Sequence, residues 1–209
     1  MSFELIDNFF QVAVLTLASV VVTTLAIRFH ERRFLILAFA YICFALGTGY
    51  WVLYLLIIGN GPQVFYVAEV SWLASYLFYL SLQILRTEEK DGSLSFSYPA
   101  FFTTVLVMGA IYVSKIFGPS LFMISLFAVT VGALTYLSVF RVRKGKESRR
   151  LDVIMLICVV LQILLYDVSE FIRDYTRFNL YFAVDIALTL SFVSLLPLLY
   201  QEVKEDDLH

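Results

Sequence analysis

Seven long apolar runs, separated by short charged or Gly/Pro-containing stretches, account for nearly the whole chain: 8–27, 34–58, 63–85, 98–116, 120–140, 151–172 and 178–200. A helix needs roughly 20 largely apolar residues to cross about 30 Å of hydrocarbon, and these runs meet that length. They are continuous rather than alternating in polarity, which excludes a transmembrane strand barrel. The pattern therefore predicts an all-α polytopic membrane protein, a seven-transmembrane-helix bundle forming one domain over residues 1–209, with 201–209 as a charged exit segment. The links GNGPQ and FGPS are Gly/Pro turns and RDYTR is equally short, so neighbouring helices pack as antiparallel hairpins. The links TEEKDGSLSFS and RVRKGKESRR are longer and charged.

Polar residues interrupt the apolar runs at helical spacing. In the third run Tyr66, Glu69, Trp72, Tyr76, Tyr79 and Gln83 recur at steps of three and four and form one stripe. The second run offers Gly47, Tyr50 and Tyr54, the sixth Gln162, Tyr166, Glu170 and Arg173, and the seventh Tyr181, Asp185 and Thr189. At 1.5 Å per residue Glu69, Asp185 and Asp167 fall about 10 to 12 Å inside their run ends, and Glu170 about 6 Å. Four carboxylates from three helices thus share one stratum. A charge at the bilayer centre costs about 2.5 to 3.5 kcal/mol, so such stripes face the bundle interior and mark a cavity or pathway. A protonated Glu69 bonded across helices, or a Glu170–Arg173 pair, would be the structural alternative. Aromatic rings beside carboxylates suit an organic cation. The candidate ligand-binding set is Glu69, Asp185, Glu170, Asp167, Trp72, Tyr50, Tyr66, Tyr76 and Tyr181; Trp51 and Tyr54 read as interfacial belt residues.

Composition agrees with the pattern: 61% of residues are hydrophobic, 15% are charged and the mean hydropathy is +0.86, well outside the soluble range. Charge then sets orientation. Twelve Lys and Arg fall on one side of the predicted bundle and three, Lys115, Arg173 and Arg177, on the other. The excess predicts an outside N-terminus and a cytoplasmic C-terminus in the cell membrane. The outer part then carries a formal net of about −4 and the cytoplasmic part about +2. The bases of RVRKGKESRR read as the positive-inside anchor against anionic headgroups, with a cytoplasmic signalling partner as the alternative contact. The residues before the first run carry Glu4 and Asp7 rather than a basic region, so no cleavable leader is expected. Cys43 and Cys158 lie inside apolar runs and read as free thiols, and the histidines, His30 and His209, lie outside the runs; neither a metal nor another cofactor is expected, nor a nucleic-acid partner.

Two seven-helix families fail at the residues their chemistry needs. Pro197 and Tyr200 share a spacing with the seventh helix of animal G-protein-coupled receptors, but Leu196 stands where those carry Asn, and LQILRTEE lacks their Arg-centred triplet. Microbial rhodopsins bind retinal on a seventh-helix lysine four residues after an aspartate; here Thr189 follows Asp185 and the run holds no lysine. In its layout of seven runs leading through Pro197 into YQEVKEDDLH, the chain resembles the seven-helix N-terminal sensory regions of bacterial diguanylate cyclases and histidine kinases. That resemblance covers the whole chain and implies a sensor or receptor-like module binding a small ligand from the outer side. It further implies an output domain in a longer protein or on another subunit. The alternative is a three-plus-one-plus-three carrier similar to SWEET-like and PnuC-like proteins, in which Tyr66-Val-Ala-Glu69 echoes Tyr181-Phe-Ala-Val-Asp185 and the acids couple protons or cations. An intramembrane hydrolase working through two carboxylates is the third class, without a histidine inside the runs or a nucleophile elbow to support it.

Overall fold

In the computed structural model, which describes residues 2–59, 66–91, 96–114, 120–144 and 149–206, the described chain is entirely helical apart from short links. Seven helices appear among the described residues: α1 (Phe3–Phe29), α2 (Arg32–Ile58), α3 (Tyr66–Asp91), α4 (Tyr98–Val113), α5 (Leu121–Lys144), α6 (Arg149–Phe171) and α7 (Leu180–Asp206). Six are long and apolar enough to cross a membrane. The seventh, α4, has 16 residues, about 24 Å of helix against about 30 Å of hydrocarbon. Of the seven expected spans, six thus correspond to full-length helices and one to a short helix. The GNGPQ and FGPS turns fall largely outside the described residues.

Helix ends follow local chemistry. The Ser2 hydroxyl accepts from the Leu5 N–H and caps α1. Between α1 and α2 only two residues intervene: His30, left-handed at φ 53°, and Glu31, whose carboxylate accepts from the Arg33 N–H. Gly59 closes α2 at φ 83°, where the lack of a Cβ removes the steric cost. Helices α1, α3, α5 and α7 run from the face of the bundle that holds the N-terminus to the opposite face, and α2, α4 and α6 run back. Most helices extend past their apolar runs by a turn, and α7 continues through the expected exit segment as far as Asp206.

Packing is sequential, α1 on α2, α2 on α3, α4 on α5 and α6 on α7, with α5 joining α3 to α6 and α1 closing against α7. Helix α4 lies outside this ring and packs closely on α5, through Thr104 to the Gly132 carbonyl and Tyr112 to Ser125. At mid-height the core is a layer of rings: Tyr79 stacks on Phe192 at 5.2 Å, Phe44 meets Phe192 at 5.0 Å and Tyr76 meets Phe127 edge-on at 5.1 Å. Pro197 leaves the Val193 carbonyl without its helical donor, and one residue earlier the Tyr41 hydroxyl donates to the Phe192 carbonyl at 2.6 Å.

Gly47 lets α2 and α3 approach: a Cβ there would stand 2.8 Å from Trp72 Nε1 and 3.0 Å from the Ala68 carbonyl oxygen. Gly47→Ala is expected to lower stability by about 1–3 kcal/mol, since a backbone atom and a packed indole have no room to yield. At Gly132 the nearest obstacle is the Met108 side chain at 2.9 Å, which is flexible, so Gly132→Ala should cost distinctly less. Denaturation midpoints of the two variants in detergent check the difference.

Candidate ligand-binding cavity and the ion cluster beneath it

A cavity of about 420 Å³ opens toward the N-terminal face between α1, α2, α3, α6 and α7. Of the residues selected from sequence, Glu69, Trp72, Glu170, Tyr181 and Asp185 line it. Tyr76 lies directly behind, donating to Gln162 Oε1 at 3.0 Å. Tyr50 packs on Tyr54 at 6.1 Å and Asp167 is half-buried on α6, neither of them lining the cavity. The Tyr66 side chain lies outside the described residues. No lysine, arginine or histidine lines the cavity among the described residues, whereas four carboxylates do: Glu4, Glu69, Glu170 and Asp185.

The walls are pinned by hydrogen bonds from neutral donors. Gln11 is the hub: its amide donates to Asp185 Oδ1 at 2.9 Å and Thr189 Oγ1 at 2.8 Å, while its carbonyl accepts from Thr48 at 2.7 Å. Thr48 in turn accepts from Trp72 Nε1 at 3.3 Å, so α1, α2, α3 and α7 share one chain of bonds. Trp51 donates to Glu4 at 3.0 Å, which draws a residue read as an interfacial belt position into the cavity wall. The start of α1 is fixed to the α6–α7 link by Phe3 N–H to the Thr176 carbonyl and Glu4 N–H to the Tyr175 carbonyl, both 3.1 Å. In that link the Asp174 carboxylate accepts from the Thr176 hydroxyl and N–H, which hold it below the usual carboxylate range. Burial, and then the charge of Glu4, raise the Tyr175 phenol.

One acid is left over. Glu69 is only 6% exposed and its Oε2 has no hydrogen-bond partner among the described residues, whereas Asp7, 3% exposed, meets Asp185 through a side-chain hydrogen bond as well as through its charge. A buried acceptor without a donor is costly, and its usual explanation is a missing water, ion or ligand. Sequence reasoning missed the α1 wall because it began the first run at residue 8 and assigned Glu4 and Asp7 to the outer boundary. Glu4, Asn8 and Gln11 stand at steps of four and three, a stripe as regular as that of α3.

The second polar site was not anticipated. At the opposite face Arg86, with no exposed surface, is met by Glu202 of α7 at 2.7 Å, Asp152 of α6 at 2.8 Å and Gln83 at 2.6 Å. Arg141 of α5 reaches Asp152 at 3.3 Å and donates to the Arg86 carbonyl at 2.8 Å. Arg33 of α2 pairs with Asp206 at 2.6 Å and Glu31 at 3.1 Å and lies 3.8 Å from Glu202. Three of the twelve bases assigned to the charged face, Arg33, Arg86 and Arg141, therefore turn inward to carboxylates rather than outward to headgroups. The α7 extension is correspondingly clamped to the bundle through Glu202 and Asp206. No group of three or more metal-ligating side chains occurs among the described residues. Compared with known protein families, curated proteins and solved structures, the chain matches none.

Removing Arg86 would leave Asp152 and Glu202 buried with fewer counter-charges. Arg86→Met is expected to cost about 3–5 kcal/mol, and adding Glu202→Gln should recover part of that loss. Unfolding midpoints of the single and double variants test the coupling. The wild-type midpoint should also respond weakly to added salt, since buried pairs are little screened.

Proposed function

We propose that this is a multi-pass membrane protein with its N-terminal face outside, and that it acts as a sensor or receptor-like module binding a small organic cation in the cavity at that face. The observation that carries this reading is Glu69: a carboxylate almost wholly removed from solvent, lining a cavity, with one oxygen unpartnered among the described residues. Around it stand Trp72, Trp51, Phe44, Tyr166 and Tyr181 and, among the described residues, no cationic side chain. An ammonium group supplies both the missing donor and the missing positive charge, and rings within about 6 Å add cation–π attraction. The volume, about 420 Å³, suits a small molecule rather than a bare ion. Four acids at the mouth and floor would also concentrate cations from solution. In this reading α7 transmits occupancy, since it carries Asp185 at the cavity and ends on Glu202 and Asp206 at the opposite face.

Tetraethylammonium and phenethylamine are suitable first probes, one with a permanent charge and the other joining a ring to an ammonium group. A ligand specific to the folded state stabilises it by about 2.7 kcal/mol at a hundredfold excess over Kd. The melting temperature of the purified protein should therefore rise with at least one probe, and Glu69→Gln, which keeps the shape and removes the charge, should abolish the rise. An equal response in wild type and variant, or none with either probe, would count against the cavity as a cation site.

A further inference from the structure

The buried acids of the cavity carry two charges, and they stand apart. Glu69 of α3 is one, lining the cavity with its Oε2 unpartnered among the described residues. Asp185 of α7 is 5% exposed, also lines the cavity, and is hydrogen-bonded to both Gln11 and Asp7. An ionised carboxyl group only accepts hydrogen bonds, so a bond between two aspartates requires that one of them be the acid. The pair therefore keeps one proton and one negative charge. Both hydrogens of the Gln11 amide are in use, one on Asp185 and one on Thr189. That extra donor favours the charge on Asp185, which faces the cavity, and the proton on Asp7, which does not line it.

No base lining the cavity among the described residues offsets either charge. The acids at the mouth make no such demand, since Glu170 is exposed and Glu4 is half-buried and accepts from Trp51. No hydrogen bond joins Glu69 to Asp185 among the described residues. Trp72, one turn from Glu69, leads through Thr48 and Gln11 to Asp185, so the two carboxylates sit at opposite ends of that chain of bonds. Tyr166 is in electrostatic contact with both. A monocation at Glu69 would leave the second buried charge uncompensated, which is costly.

We infer that the organic cation of this cavity is a small linear diamine, with one ammonium group at Glu69, the other at Asp185 and its methylene chain against Trp72 and Tyr166. This rests on the cavity being a cation site and fixes the ligand's charge at two. Tetramethylenediamine and butylamine share one carbon chain and differ in the second ammonium group. Melting temperatures of the purified protein are followed against both, with tetraethylammonium and phenethylamine alongside, and Kd is taken from the concentration dependence. The diamine is expected to bind about tenfold more tightly than butylamine, as a second charge-assisted contact implies. Asp185→Asn, which keeps an acceptor oxygen for Gln11, should bring the two to equal affinity with butylamine still bound. Asp7→Asn, whose amide replaces the acid as donor, should keep the preference. A further measurement needs no variant. From ethylenediamine to hexamethylenediamine the affinity should peak at one length, because the carboxylates are fixed on different helices, whereas along the matching monoamines it should only rise with buried chain. Equal affinity for diamine and monoamine in the wild type, or a preference that survives Asp185→Asn, would overturn the dication and leave the cavity reading standing. No stabilisation by any of these cations would remove both statements together.

Discussion

A guanidinium with no exposed surface persists in a low-dielectric interior only where carboxylates come to meet it, and the position of Arg86 therefore dictates how the helices assemble. It draws Asp152 from α6 and Glu202 from α7. Through Asp152 it holds Arg141 of α5, and through Glu202 and Asp206 the cluster extends to Arg33 of α2. Five helices are thereby fixed in axial register at one face, because a shift of one turn along any of them would move a charge by about 5.4 Å and strand its partner. Apolar packing resists such a shift through shape alone, whereas a displaced ion pair also strands a buried charge.

The opposite face is organised by a different balance of polar groups. There the ties are neutral, running from Gln11 through Thr48 to Trp72, and the acids exceed their partners. One end of the bundle is saturated with counter-charges while the other retains unmet acceptors. Since both ends are built on α3, α6 and α7, a change in how these helices sit at one end bears on the other. The ring layer of Tyr76, Tyr79, Phe127 and Phe192 between them is packed tightly enough to act as a rigid spacer.

The helices themselves were legible because continuous apolar runs leave few alternatives, and the inward stripe of α3 was legible because its polar residues recur at helical steps. Glu69, Trp72, Glu170, Tyr181 and Asp185 could be brought together on those grounds. Tyr50 and Asp167 could not, because spacing within one helix fixes a face but not which neighbour that face meets. The ion cluster stayed hidden for a related reason: a base within a turn of a span end reads equally as an interfacial anchor or as a buried partner. Arg141 and Arg143 are two residues apart in one charged stretch, yet one is buried and the other exposed. Only the presence of Asp152 and Arg86 across the helix boundary distinguishes them.

That ambiguity bears on what the charge asymmetry means. Helix N-termini carry partial positive charge and C-termini partial negative charge, so acids are favoured in first turns and bases in last turns irrespective of any membrane. Glu4 and Glu69 occupy the first turns of α1 and α3. Arg28 stands in the last turn of α1, Arg141, Arg143 and Lys144 in that of α5, and Lys204 in that of α7. With seven helices among the described residues, four N-termini meet the cavity face and four C-termini the cluster face, and the odd count leaves each face with one uncancelled helix end. These residues thus answer to the preference of helix ends for opposite charge, and in the proposed orientation the membrane's preference for bases on its cytoplasmic side would add to it. For α1, α3, α5 and α7 this preference places acids at the cavity face and bases at the clasped face, both following from a single choice of chain direction.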